Sequence, residues 1–235
     1  MATGVHAPRR RTTRVVAVFV AILLLIMVVA VTRRISIDVP HVLAGTLPPD
    51  TYDVRFVEHH WLAYLHIGPG ILYLLGAPLQ LTHRFRSRHY TFHRRLGRVL
   101  AGSALMSGVF AIIFGVLYPF GGMLETTAAV IFSLWFLACL TLAIRAIRSD
   151  DMVHHRRWMI RAFAVGVAVG TIRIWQAIFV GFGLLSFEDA FGLTFWISFS
   201  LHVAAAELWL RARPNPPELT QTAPPAVAVT SQAPR

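Results

Sequence analysis

Polar and ionisable side chains recur inside the apolar stretches of this sequence, and they are the residues that could do chemistry. His66, Tyr73 and Gln80 follow one another at intervals of seven, so they share one face of a helix. Arg173 lies about 22 Å beyond Trp158, at about 1.5 Å per helical residue. Histidines on facing helices can ligate a b-type haem, and a buried arginine can hold an anion. We therefore expect a ligand or cofactor site inside a helical bundle.

The candidate site residues fall into two groups. The cofactor-binding candidates are His66, His93, His155, His202 and Arg173. Candidate polar ligands or structural groups are Tyr73, Gln80, Arg98, Arg161 and Glu207. Glu207 is expected at the depth of Arg161, which predicts an ion pair between them. No catalytic residue is assigned, no metal site is predicted, and whether the protein is an enzyme stays open.

Several functions compete for these residues. The first is b-type haem or quinone-linked electron transfer through the buried histidines, with a redox partner. The second is a transporter or a binding protein for a lipid or a small anion, acting through Arg173 and the polar face of the second span. The third is a membrane metalloenzyme, for which no acid-rich motif accompanies the candidate ligands His83, His89, His93, His154 and His155. A purely structural or assembly role is the remaining alternative.

The composition limits the class of protein that carries these residues. Of the 235 residues, 56% are apolar and 14% are charged, whereas soluble domains usually carry about 25% charged residues. With a mean hydropathy of +0.60, a soluble enzyme and a disordered chain are both excluded. Cys139 is the one cysteine, which excludes an intramolecular disulfide and a thiolate zinc site. The arginines are divided among short loops, so nucleic-acid binding is not expected.

The apolar residues fall into six runs, each long enough to cross a bilayer. The runs are 15–31, 61–82, 96–118, 124–144, 159–183 and 190–210. They predict an all-α integral membrane protein with six transmembrane helices, in which spans two to five form a core four-helix bundle. The first run also fits a signal peptide, but its length and the arginines after it favour a retained anchor helix.

The placement of the arginines predicts how the spans are oriented in the membrane. The chain has no lysine, and 18 of its 22 arginines precede the first span, follow the last, or lie beside alternate loops. Because short cytoplasmic loops are enriched in cations, both termini are predicted to be cytoplasmic. The predicted segments are a basic N-terminus (1–14), an anchor helix (15–31), an extracytoplasmic loop (32–60), a five-helix membrane domain (61–210) and a disordered tail rich in proline and alanine (211–235).

The two large basic loops resemble each other. Residues 86–95 align without gaps on residues 148–157, with matching arginine, serine and histidine positions. A helical hairpin duplicated in parallel would explain this match and would make His93 and His155 equivalent. Coincidence in a chain rich in arginine and histidine is the alternative.

Four features together resemble a bacterial membrane family catalogued as a domain of unknown function, DUF 2306. They are His66 with the segment Gly76-Ala77-Pro78-Leu79-Gln80, the segment His93-Arg94-Arg95-Leu96-Gly97-Arg98, the segment His155-Arg156-Arg157-Trp158-Met159-Ile160-Arg161, and Arg173. The resemblance covers about residues 60–210. It implies a multi-pass helical bundle in the bacterial cytoplasmic membrane, surrounded by lipid, and it implies no established activity. The family's last helix carries Trp, Asn and Glu where this chain has Trp196, His202 and Glu207, so His202 is a departure.

Overall fold

The structure is a computed structural model that describes residues 7–213. The first part of the predicted N-terminal segment 1–14 and nearly all of the predicted tail 211–235 lie outside the described residues. Within the described range the chain forms helices and no strand: α1 (Ala7–Ala44), α2 (Thr51–Glu58), α3 (His60–Leu81), α4 (His83–Arg88), α5 (Tyr90–Leu117), α6 (Gly122–Arg148), α7 (Met152–Gly181) and α8 (Phe187–Ala212). In this range six helices, all but α2 and α4, are long and apolar enough to cross a membrane. The predicted class, an all-α membrane protein with six spans, is confirmed.

The first helix extends well beyond its predicted apolar run of 15–31. It continues to Ala44 and ends there because Gly45 adopts a φ of 63°, a conformation that favours glycine and stops a helix. Arg34 and Asp38 form an ion pair one helical turn apart, which supports the added turns. The segment predicted as a loop, 32–60, therefore contains the end of α1 and the whole of α2.

The spanning helices pack in a closed circuit. α3 contacts α5, α5 contacts α6, α6 contacts α7, and α7 contacts α3. α8 packs on α6 and α7, while α1 packs on α3 and α7 and also touches α2. Whether α3–α5 and α6–α7 descend from one duplicated hairpin stays a prediction.

Glycines allow the closest of these contacts. A Cβ atom at Gly170 of α7 would lie 2.9 Å from the backbone oxygen of Leu23 in α1. One turn away, a Cβ atom at Gly166 would lie 2.8 Å from the side chain of Leu74 in α3. Small residues bring helix backbones together in the same way in other membrane proteins. Gly166 and Gly170 therefore let α7 approach both α3 and α1.

The bundle has two chemically different ends. At the arginine-rich end, where α1, α5 and α7 begin and α8 finishes, Arg213 donates a hydrogen bond to Thr13 at 3.0 Å. At the opposite end, here termed the α2 end, α2 lies against the turn at 118–121 and the first residue of α8. Tyr52 of α2 packs there on Phe120 and Phe187. The candidate site lies towards the α2 end.

Candidate functional site

A cavity of about 520 Å³ lies inside the bundle, and every spanning helix together with α2 contributes to its wall. Most of the wall is aromatic or aliphatic. Its phenylalanines are Phe56, Phe114, Phe132, Phe136, Phe187, Phe191, Phe195 and Phe199. Such a wall suits the apolar part of a ligand, because specific sites combine a mainly hydrophobic lining with a few placed polar groups.

Arginines surround one buried tyrosine at the polar end of this cavity. Tyr52 is 6% exposed. The guanidinium carbons of Arg34 and Arg55 lie 5.3 and 4.9 Å from the centre of its ring, and Nη1 of Arg173 lies 3.5 Å from its hydroxyl oxygen. Burial acts to raise the pKa of Tyr52, but the charges of Arg173, Arg55 and Arg34 outweigh it and lower the pKa below the usual value for tyrosine. The three guanidinium groups therefore favour the ionised form of Tyr52.

Arg34 is neutralised by carboxylates. Its guanidinium forms a salt bridge with Asp38 of α1, at 3.1 Å, and a second one with Asp53 of α2. The hydroxyl of Tyr64 donates to the other oxygen of Asp38 at 3.1 Å. These contacts join α1, α2 and α3 at the α2 end, and they leave the positive charge of Arg34 fully paired.

Arg55 is neutralised in the same way. Its Nη1 donates to Glu125 at 3.2 Å and to the carbonyl oxygen of Tyr118 at 2.8 Å. The second carboxylate oxygen of Glu125 accepts hydrogen bonds from the backbone N–H groups of Phe120 and Gly121 at 2.6 and 2.7 Å. Glu125 is therefore fully engaged at the turn before α6.

Arg173 differs from the other two because no carboxylate lies within salt-bridge distance of it among the described residues. Its Nη1 donates to the side-chain oxygen of Gln176 at 3.0 Å, while its Nε is buried and has no partner in this part of the chain. The acids at similar depth are engaged elsewhere or exposed: Asp189 bonds Ser186, and Glu188 is exposed. Arg173 thus brings one uncompensated positive charge to the cavity wall.

The polar face predicted on α3 is only partly directed at the cavity. His66 and Tyr73 line the cavity, whereas Gln80 does not. His66 Nδ1 lies 3.0 Å from the carbonyl oxygen of Ser107, whose hydroxyl in turn donates to the carbonyl oxygen of His66 at 2.9 Å. Tyr73 is 2% exposed, and its hydroxyl has no partner among the described residues. Gln80 lies beside Gly97 of α5, nearer the arginine-rich end.

The remaining predicted cofactor ligands lie away from the cavity. His93 has a buried Nδ1 that lacks a partner in the described range, and His155 Nδ1 lies 3.0 Å from the carbonyl oxygen of Ala143. His202 Nε2 lies 2.8 Å from the hydroxyl of Thr171. Arg98 is exposed on α5. The described residues contain no group of three or more side chains placed to ligate a metal ion.

The predicted pair between α7 and α8 is present. Nε and Nη2 of Arg161 donate to the two oxygens of Glu207 at 2.5 and 2.9 Å. The guanidinium also lies 4.5 Å from the centre of the Trp158 ring. Both carboxylate oxygens and one face of the cation are occupied, so this pair joins two helices and lies apart from the cavity.

Several residues at the polar end were not among the sequence candidates: Arg34, Tyr52, Arg55, Ser107, Glu125 and Gln176. Half of them, Arg34, Tyr52 and Arg55, lie in the segment 32–60 that was predicted as a loop. The signal for them in the sequence was the balance of arginines and acids within 32–60, which is unusual for a loop that only connects two spans.

Comparison with known proteins supports the assignment of the chain as a membrane protein. The model of a family described as a predicted membrane protein (DUF2306) matches residues 63–210, which is more than half of the chain. No curated protein and no solved structure matches it. The matched segment contains α4–α7 and nearly all of α3 and α8, including His66, Tyr73 and Arg173 of the cavity wall. The chain therefore belongs to the DUF2306 family of predicted membrane proteins.

Proposed function

We propose that this membrane protein binds a lipid-like amphiphile in the cavity, with the polar head at Arg173 and the apolar part along the phenylalanine-rich wall. The observation that carries the proposal is the uncompensated charge of Arg173 on the wall of an otherwise apolar cavity. An arginine without a counter-ion is costly inside a membrane, even when it is half-buried as Arg173 is, and it usually marks a ligand path or site. The cavity volume of about 520 Å³ also lies in the usual range for small-molecule sites.

This proposal develops the lipid-binding or transport alternative that the sequence offered, and it favours that alternative over electron transfer. Two histidines on facing helices would be needed to ligate a haem from both sides. Among the described residues, His66 is the histidine that lines the cavity. His93, His155 and His202 lie elsewhere and do not face it. Bis-histidine haem ligation stays a prediction, which oxidised and dithionite-reduced absorption spectra of the purified protein would test.

We also propose that the arginine-rich end faces the cytoplasm of a bacterial cell, with both termini on that side. The support is the distribution of arginines, because cations are enriched in short cytoplasmic loops. Cysteines placed at Leu47, near the α2 end, and at Arg148, at the other end, would test this orientation. A membrane-impermeant thiol reagent should label the first variant in intact cells and the second only after lysis. The opposite pattern would reverse the orientation.

Photolabelling tests the binding site directly. Purified protein would be exposed to palmitic acid and to palmityl alcohol, each carrying a diazirine in the chain, and the labelled peptides would be mapped by mass spectrometry. We expect labels on helix segments that line the cavity, and we expect unlabelled amphiphile to compete. Labels confined to the lipid-facing surfaces would contradict the proposal.

A pair of matched variants separates the cavity from the outer surface. Ala111 of α5 lines the cavity, and Ala205 of α8 is exposed. Ala111→Phe should reduce competable labelling by about tenfold, equivalent to about 1.4 kcal/mol of binding free energy, because the added ring occupies the space of the ligand. Ala205→Phe should leave labelling unchanged. Equal labelling in both variants would place the ligand elsewhere.

A further inference from the structure

We propose that the head group bound at Arg173 is a carboxylate, held side-on by the Nε and Nη2 atoms of the guanidinium. The inference rests on the proposed function of the cavity and names the chemical class of its ligand. It follows from three features of the site: the free edge of Arg173, the charge balance around it, and the two buried side chains that hold its other edge.

One edge of the Arg173 guanidinium is already occupied. Nη1 donates to Gln176 at 3.0 Å and lies 3.5 Å from the Tyr52 hydroxyl. Nε is buried without a partner, and Nη2 makes no hydrogen bond with the described residues. Nε and Nη2 therefore form the free edge. Two parallel N–H groups on such an edge match the two oxygens of one carboxylate, which is the geometry that the Arg161–Glu207 pair shows in this same protein.

The charge balance favours a group with a single negative charge. Three arginines, Arg33, Arg34 and Arg55, are paired with three carboxylates, those of Asp38, Asp53 and Glu125. Asp50, which also lines the cavity, is exposed and accepts the backbone N–H of Tyr52 at the start of α2. Among these groups one positive charge remains, that of the half-buried Arg173. A carboxylate neutralises that charge, whereas a phosphate monoester carries about −1.5 to −2 and would leave a surplus negative charge in a poorly solvated place.

Gln176 and Tyr52 act as positioning residues for this guanidinium. Gln176 is 5% exposed, and it lies less than one helical turn after Arg173 on α7. Its oxygen fixes Nη1 and so sets the direction of the free edge. Tyr52 of α2 contacts the guanidinium from the other side and so restricts its position. Because both contacts use Nη1, they orient the Nε–Nη2 edge and leave its N–H groups available to a ligand.

The test compares amphiphiles that share one chain and differ in the head group. Dissociation constants would be measured by native mass spectrometry of delipidated protein with palmitic acid, palmityl alcohol, methyl palmitate and hexadecyl phosphate. We expect the acid to bind about tenfold or more tightly than the alcohol and the ester, since hydrogen bonds to a charged group are worth about that much. We also expect it to bind more tightly than the phosphate.

Variants of Arg173 assign this preference to one side chain. Arg173→Gln should abolish the preference for the acid over the alcohol. Circular dichroism and size-exclusion chromatography of the ligand-free variant check separately that it is folded. Arg173→Lys keeps the charge but lacks the paired N–H edge, so it should keep only part of the preference. Arg148→Gln, at an exposed position on α6, is the matched control and should behave like the wild type.

The outcomes separate the two proposals. Equal binding of acid and alcohol by the wild type would overturn the carboxylate head group while leaving the cavity as an amphiphile site. A preference for the phosphate, or a preference for the acid that survives in Arg173→Gln, would overturn it as well. If none of the four compounds binds, both the head group and the proposed function fail.

Discussion

At the scale of single residues, Tyr52 makes the proposed site sensitive to pH. Its pKa is lowered by Arg173, Arg55 and Arg34, although burial opposes this shift. As the pH rises through that lowered pKa, the tyrosine becomes a phenolate close to Nη1 of Arg173. The phenolate neutralises the charge that a carboxylate head group would use, so affinity for palmitic acid should fall on the alkaline side.

The pH dependence of binding to Tyr52→Phe checks this expectation. The variant lacks the hydroxyl, so its affinity for palmitic acid should stay level where the wild-type affinity falls. Palmityl alcohol is the control ligand, because it has no charge to compete with the phenolate and should bind equally across the range in both proteins. The same alkaline loss of acid binding in Tyr52→Phe and in the wild type would assign the effect to another group.

The buried hydroxyl of Tyr73 predicts an unusual effect on stability. It has no hydrogen-bond partner among the described residues, and burying an unsatisfied polar group costs about 1–3 kcal/mol. Tyr73→Phe should therefore raise the free energy of unfolding by about 1 kcal/mol in the ligand-free protein. Tyr64→Phe is the matched control: it removes a hydroxyl that donates to Asp38 and should lower the free energy by about 1–2 kcal/mol.

Reversible denaturation in mild detergent would measure both changes. If Tyr73→Phe is as destabilising as Tyr64→Phe, the Tyr73 hydroxyl has a partner in the folded protein, and a bound ligand or an ordered water would then have to supply it.

At the scale of helices, the contact between α1 and α7 depends on the absence of a side chain at Gly170. A Cβ atom there would lie 2.9 Å from the backbone oxygen of Leu23, an atom that cannot move away without moving α1. Gly170→Ala should therefore weaken the contact of α1 with α7 and lower the midpoint of thermal unfolding. The control is Gly102→Ala on α5, where the added Cβ meets nothing within 4 Å.

The two glycine variants should differ in thermal stability. Alanine is favoured over glycine in a helix by about 0.5–1 kcal/mol, so Gly102→Ala should be neutral or slightly stabilising. Thermal unfolding followed by circular dichroism would compare them. A stabilising effect of Gly170→Ala would contradict the close approach of α1 and α7.

The helices themselves could be predicted from the sequence to different extents. Apolar runs located each span, because about 20 residues of continuous hydrophobicity seldom occur outside a membrane-spanning helix. The ion pair of Arg161 with Glu207 was predictable because both lie near the ends of neighbouring spans. The end of α1 and all of α2 were not predicted as helices, because Arg34–Asp38 and Arg34–Asp53 stabilise a polar segment that hydropathy assigns to a loop.

The candidate site was less predictable than the spans. Arg173 could be recognised as a charge within an apolar span from its own surroundings in the sequence. Its neighbour Tyr52 lies 121 residues away in the chain, and no local pattern indicates that the two meet. The histidines could be recognised by residue type, but the sequence does not indicate what surrounds each one: His66 lies beside Ser107 and His202 beside Thr171, whereas Nδ1 of His93 has no partner among the described residues.

At the scale of the whole molecule, α1 covers the cavity from the side of the bilayer. It supplies Met27, Ala30 and Val31 to the cavity wall, yet only 6% of its most apolar stretch is buried inside the protein. Its backbone packs on α2, α3 and α7, and the ring of Phe19 stacks on His202 of α8 with 6.4 Å between the ring centres. A ligand that partitions into the membrane would therefore reach the cavity with the smallest rearrangement if α1 moved away from α3 and α7.

The ionic contact of Arg34 with Asp53 should control that movement, because it ties α1 to α2 at the polar end of the cavity. Asp53→Asn keeps the pair between Arg34 and Asp38 but removes the charged tie between the two helices. We expect palmitic acid to associate and dissociate faster in this variant, by similar factors, with little change in the dissociation constant. A change that lowers the barrier between the bound and the free state acts on both rates, whereas losing a ligand contact acts mainly on dissociation.

Stopped-flow exchange of a fluorescent fatty acid would measure both rates. The control is Glu58→Gln, which removes an exposed charge from the same helix. Faster dissociation alone would make Asp53 part of the binding site, and unchanged rates would show that α1 does not control access to the cavity.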